Sequence, residues 1–143
     1  MKRLIFDLDG TVAIDDPSLD YAERAPNWPL VEKIREYRRQ GFAIVIASAR
    51  NMRSFGGQIG RINAVTLPQM VRWLDQHDIP YDEIYVGKPW CGPEGFYVDD
   101  RAVRPSEFVD LSRDEIHALL RRERGVLPAA DREVGSDVSG PEP

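Results

Sequence analysis

The sequence is short of several residues and patterns that would point to particular classes of protein. It has one cysteine, Cys91, in 143 residues. No intrachain disulfide can form, and nothing points to an oxidising compartment. It has two histidines, His77 and His117. Both lie in stretches with helical spacing and lack cysteine or aspartate partners at metal-ligand spacing, so they read as packed or solvated side chains. Positive charge is not in excess: 19 lysines and arginines against 24 acids give a net charge of −5, which argues against a nucleic-acid partner. No apolar run approaches the ~20 residues of a membrane-spanning helix. The chain enters a strand pattern within three residues of Met1, so no signal or transit peptide is expected. There is no internal repeat. The expectation is a cytoplasmic protein with no membrane partner.

Hydrophobic residues make up 42% of the chain and charged residues 30%, enough to build one domain around a core. Arg3 to Leu8 reads as a strand buried on both faces. Residues 12–27 carry acids and prolines without a period and read as a loop or flap. Pro29 opens a helical pattern through Gln40, with Leu30, Val31, Ile34 and Tyr37 on one face and Gly41 at its end. Phe42 to Ala47 (FAIVIA) is a second buried strand. Asn51 to Ala64 reads as a long polar loop. Thr66 is expected to cap a helix with Leu67, Met70, Val71 and Leu74 on its apolar face. Glu83 to Val86 and Gly95 to Val98 (GFYV) read as third and fourth strands. Ser112 and Glu115 form a capping-box pattern ahead of a last helix. From Gly125 to Pro143 the composition turns to Gly, Pro, Ser, Asp and Glu, as in a disordered tail. The domain is therefore expected over residues 1–124, with a tail over 125–143.

Strands alternating with helices predict an α/β fold with a mainly parallel sheet. In such sheets ligands bind beyond the carboxyl ends of the strands. Asp7 and Asp9 end the first strand, Ser48 and Arg50 the second; Lys88 follows the third, and Asp99 and Asp100 the fourth. Four carboxylates at one edge need a cation among them. Hard oxygen donors without imidazole or thiolate favour Mg²⁺ over Zn²⁺. A metal, a lysine, small hydroxyls and the turn amides of Gly10 and Thr11 suit a dianionic phosphate. An ionised aspartate is a competent nucleophile toward phosphorus. A second aspartate two residues on can protonate the leaving oxygen and later activate water.

Asp7-Leu8-Asp9-Gly10-Thr11 resembles the DxDGT motif of the haloacid dehalogenase superfamily of phosphatases. Ser48 after FAIVIA, Lys88, and Asp99-Asp100 after GFYV are similar to that superfamily's second, third and fourth motifs, in the same order, over residues 4 to about 104. The wider runs IYVGKPWCG and FYVDDRAVRPSEF resemble small phosphatases associated with bacterial capsule and surface-polysaccharide biosynthesis. The resemblance implies a three-layer, Rossmann-like sheet, Asp7 as nucleophile and Asp9 as general acid and base. It implies phosphate binding by Gly10, Thr11, Ser48, Ala49 and Lys88, and Mg²⁺ held by Asp7, Asp9, Asp99 and Asp100. Asp9 to Ser48 and Ser48 to Lys88 leave no room for the cap domain that many relatives carry, so the site is expected to be open, with a neighbouring subunit as a candidate lid.

Arg50 and Asn51, just after Ser48, and Trp90, just after Lys88, are candidates for substrate recognition, with surface charge and core packing as their plainer alternatives. The substrate is expected to be a small phosphorylated metabolite, such as a sugar phosphate or polysaccharide precursor. Three other functions fit parts of the pattern. A receiver-like signalling domain would not need Asp9. A phosphomutase generally needs a cap. A polynucleotide phosphatase suits the negative charge poorly. The link from Lys88 to Gly95 is much shorter than the dozen or more residues usual for a parallel crossover, so it must run nearly extended.

Overall fold

Two apolar runs build the first two strands of the sheet. In a computed structural model of the chain, which describes residues 1–125, Arg3–Phe6 forms β1 and Ala43–Ala47 forms β2, paired in parallel with Leu4 opposite Ile44 and Phe6 opposite Ile46. Ile44, Val45 and Ile46 are all fully buried, as a strand covered on both faces requires. Glu83–Tyr85 forms β3, parallel to β2, and the order is β1-β2-β3. The expected tail over 125–143 lies outside the described residues apart from Gly125.

The helices follow the apolar periods. Helix α1 (Trp28–Arg39) has Pro29 in its first turn and buries Leu30, Val31, Ile34 and Tyr37. It stops at Gly41, whose φ of +90° is a left-handed conformation that glycine adopts without penalty. A short helix α2 (Ile59–Arg61), one wide π turn (Ile62–Thr66) and helix α3 (Leu67–Gln76) make one continuous helical run. That run begins inside the stretch expected to be loop. Thr66 therefore does not cap α3. Its side chain is fully buried, and its hydroxyl donates to Asn51 Oδ1 at 2.7 Å. Met70, Trp73 and Leu74 form the buried face of α3, and the Trp73 indole donates to the Arg24 carbonyl at 2.9 Å, tying the 12–27 segment to the core. His77 packs against Trp73 and Trp28. No described helix is long and apolar enough to cross a membrane.

The described residues divide into two compact units, Met1–Tyr97 and a second that begins at Val98. The second contains α4 (Pro105–Asp110) and α5 (Arg113–Arg124). The expected capping box opens α5: Glu115 N–H donates to Ser112 Oγ at 3.2 Å, and Ser112 N–H to Glu115 Oε1 at 3.0 Å.

Gly95–Val98 is the correction. It forms no strand, and Phe96 is 79% exposed. The link is too short for the helix that normally carries a parallel crossover, and it turns sharply instead. A Cβ on Gly95 would stand 2.0 Å from the Cys91 carbonyl oxygen, so the turn accepts only glycine there. The Tyr97 hydroxyl then donates back to the Pro89 carbonyl.

Candidate active site

The carboxyl ends of β1, β2 and β3 bring Asp7, Asp9, Ser48, Arg50 and Lys88 to one rim. Lys88 Nζ lies 3.6 Å from Asp7 Oδ1, and the Thr11 hydroxyl donates to Asp7 Oδ2 at 3.4 Å. Burial pushes the Asp7 carboxyl above the usual aspartate range; Lys88 opposes this, and Asp9 adds to it. Asp7 thus occupies a costly position that one lysine makes tolerable.

Asp9 is held differently. Arg50 Nε donates to its Oδ2 at 3.0 Å and Arg50 Nη2 to its Oδ1 at 2.9 Å, the two-point geometry that suits guanidinium and carboxylate. Arg24 Nη1 stands 3.8 Å from the same carboxylate. The Tyr21 ring lies within cation–π reach of both cations, 4.1 Å from Arg50 and 4.4 Å from Arg24. Arg50 is therefore committed to Asp9, and its side chain is only 2% exposed. The spacing of charges in the sequence pointed to Arg50 as a substrate contact; its partner became visible only once β1 and β2 were paired.

The turn after β1 is built by its own backbone. Gly10 has φ +85°. Its N–H donates to the Ala13 carbonyl at 2.9 Å, and the Thr11 N–H donates to the Leu8 carbonyl at 3.2 Å. These two amides, expected to meet phosphate, close the turn instead. Ser48 is buried; its Oγ accepts from Arg50 N–H at 3.0 Å and its carbonyl from Lys88 N–H at 3.1 Å. Ser48 therefore locks Arg50 and Lys88 in place. Ala49 follows, and its carbonyl accepts from Met52 N–H at 3.0 Å. Asn51 has φ +63° and spends both ends of its amide on Thr66 and Ser54, so it shapes the loop. Trp90 is half-exposed, with the Arg53 guanidinium 5.3 Å above its ring.

Two residues of this rim were not expected from the sequence. Arg24 comes from the flap, where its charge was one among many. Tyr97 was assigned to a strand; its ring lies 4.2 Å from Lys88 Nζ, and burial, followed by Cys91 and Asp7, raises its hydroxyl above the usual tyrosine range.

Asp99 and Asp100 fall in the second unit. Asp99 Oδ1 accepts from Arg101 N–H at 2.7 Å, and Asp100 lies 4.0 Å from Arg124. Among the described residues no three His, Cys, Asp or Glu side chains converge on a metal position. The donors present still fit Mg²⁺ in kind, being hard carboxylate oxygens. Asp7 is the more accessible donor of the first unit, 35% exposed, since both Asp9 oxygens face Arg50 and the Leu8 carbonyl already accepts two amides.

These features define a parallel α/β protein whose carboxyl rim sets two aspartates against a lysine and two arginines. The chain belongs to the same family as an MCSG target protein from Vibrio cholerae of known crystal structure. The two are 55% identical with a TM-score of 0.84, over 86% of this chain and 99% of that one. Weaker likenesses reach the D,D-heptose 1.7-bisphosphate phosphatase of B. bronchiseptica, crystallised with magnesium and phosphate (22% identity, TM-score 0.43, 67% of this chain and 54% of that one). They also reach a chain of the Pnkp1/Rnl/Hen1 complex (24% identity, TM-score 0.46, 59% of this chain and 27% of that one). No family model matches the chain, and no curated protein matches it.

Proposed function

We propose that the chain is a phosphomonoester hydrolase of haloacid dehalogenase type, with residues 1–124 as its catalytic domain. The observation that carries this reading is the setting of Asp7: a partly buried carboxylate at the end of β1, facing Lys88 and Thr11, with Asp9 fixed two residues away. The ordered motifs around Asp7, Ser48, Lys88 and Asp99-Asp100 support it.

In this reading Asp7 Oδ attacks phosphorus, and the bond from phosphorus to the substrate oxygen breaks. The departing oxygen takes the proton of the Asp9 carboxyl. Water then attacks the phosphorus of the aspartyl-phosphate and gives a proton to Asp9; the bond to Asp7 Oδ breaks, and inorganic phosphate leaves. Asp9 forgoes one of its two Arg50 hydrogen bonds whenever it carries the proton, and Arg50 aims the other oxygen. Lys88 balances charge on the transferred group. Mg²⁺ would neutralise phosphate charge when bound, with the Asp7 carboxylate as the accessible hard-oxygen donor of the first unit.

The motif set supports a small phosphorylated metabolite as substrate, such as a sugar phosphate or a polysaccharide precursor, including those of capsule biosynthesis, in the cytoplasm; the absence of an inserted cap would leave the rim open to a larger substrate or to a neighbouring subunit as lid. The test is a broad phosphomonoester panel with Mg²⁺. Phosphate release by the wild type and none by Asp7→Asn is the expected result. Equal release by both proteins would remove Asp7 from the chemistry, and no release from any substrate would overturn the assignment.

A further inference from the structure

The chain is acidic overall, but its acids are unevenly spread. From Tyr37 to Leu74 there is no aspartate or glutamate, and there are six arginines. Two of the six are neutralised, Arg38 by Asp82 and Arg50 by Asp9. Arg53 and Arg61, in the segment after β2, are exposed and pair with no carboxylate among the described residues. Each lies over a ring instead, Arg61 on Phe55 at 4.0 Å and Arg53 on Trp90 at 5.3 Å. The two rings differ in what they adjoin. Phe55 belongs to the same segment as its arginine. Trp90 follows Lys88 by two residues, at most about 7 Å along the backbone. Ile59 ties the two segments together, packing on Gly87 so tightly that a Cβ there would overlap its Cδ1. Arg53 is thus held beside the stretch whose Lys88 Nζ lies 3.6 Å from Asp7.

We propose that the Arg53 guanidinium, stacked on Trp90 beside Lys88, binds a second anionic group of the substrate. The substrate class is then a small phosphomonoester that carries a further phosphate or carboxylate. A guanidinium laid on a ring uses its face and keeps its edge N–H donors, the fork that meets phosphate or carboxylate at two points. The division of labour among the cations follows from their partners. Lys88 is spent on Asp7 and Arg50 on Asp9, so both belong to the reacting end. Arg53 has no acid to serve, and Trp90 limits its freedom, which lowers the entropy lost when an anion binds. Arg61 carries the same charge in the same segment, but its ring is Phe55, which makes it the natural comparison. The identity of the substrate rests on the phosphatase reading; the anion site at Arg53 does not.

The test measures equilibrium binding of three probes to the full chain carrying Asp7→Asn, so that they stay intact. Glucose 6-phosphate has one anionic group, 6-phosphogluconate adds a carboxylate, and glucose 1,6-bisphosphate adds a phosphate. At least one of the two-anion probes should bind about tenfold tighter than glucose 6-phosphate, the scale of one charge-assisted pair, and the tighter of them names the second group. Adding Arg53→Met should bring that ratio close to one. Trp90→Leu should lower it too, because the guanidinium loses its platform. Arg61→Gln should keep it; a loss as large as that of Arg53→Met would assign the effect to general charge and overturn the subsite. Circular dichroism verifies that each variant is folded. Equal binding of all three probes, no binding of any, or a preference indifferent to Arg53 would also overturn the subsite. Turnover by the chain with Asp7 intact separates the two claims. A preference that depends on Arg53, with no phosphate released from any substrate, would count against the phosphatase reading and leave the anion site standing. Turnover with no such preference would remove the subsite and leave the phosphatase reading.

Discussion

The pairing of Arg50 with Asp9 can be tested as an energy. Arg50 is buried, and Asp9 is 21% exposed at its side chain. Breaking a fully buried pair by removing one partner costs about 3–5 kcal/mol, and an exposed pair is worth about 0–1. With water reaching part of Asp9, Arg50→Met is expected to cost about 2 kcal/mol, since Arg24, 3.8 Å away, takes over part of the carboxylate's neutralisation. Asp9→Asn is expected to cost about 3 kcal/mol, because it leaves a guanidinium buried against a neutral amide and the Tyr21 ring. The double variant removes both charges, so it should cost at least about 1 kcal/mol less than the sum. Urea unfolding reads this directly: at slopes of about 1–3 kcal/mol/M, the single variants shift the midpoint by about 0.7–3 M. Additive costs, with coupling under about 0.5 kcal/mol, would show that the two-point pair does not hold the rim together.

Asp7 titrates above the ordinary range in the folded chain. A raised carboxyl favours the fold when protonated, so its stabilisation is present below the unfolded pKa of about 3.9 and is lost as pH rises through the higher folded value. Asp7→Asn should therefore unfold at higher denaturant than wild type near pH 7, with the difference vanishing as pH falls below that of a free aspartate. Lys88→Met removes the charge that opposes the shift, so the acid limb of the rate profile should move to higher pH along with a large loss of kcat. Thr66→Val removes the buried bond to Asn51 and should cost about 1–2 kcal/mol in thermal unfolding, with little effect on the Asp7 chemistry.

Much of the sheet was legible because strand burial and helix period act locally. FAIVIA is apolar on both faces and buried as expected, and α1 repeats its apolar residues at helical spacing, so β2 and α1 followed from pattern alone; β1 also forms where expected, but Ile5 is 65% exposed where burial on both faces was expected. The box of Ser112 and Glu115 was equally local. What pattern missed depends on distant partners. Thr66 has a capping residue's chemistry, yet the helical run extends past it and its hydroxyl serves Asn51. GFYV has a strand's composition, yet the short link turns it back before it can pair. The rim acids were readable from their spacing after an apolar strand; the cations that hold Asp9, Arg24 and Arg50, were not, because their roles arise from the flap and from strand pairing.

The most direct test of the central claim is to find the phosphoryl group on Asp7. A substrate from the active panel is mixed with enzyme and quenched in acid during turnover, and the peptides are mapped by mass. One phosphoryl group on the peptide carrying Asp7, absent from Asp7→Asn and cleared when turnover is allowed to finish, is the expected result. Phosphate release without any such adduct, undiminished in Asp7→Asn, would contradict nucleophilic attack by this residue.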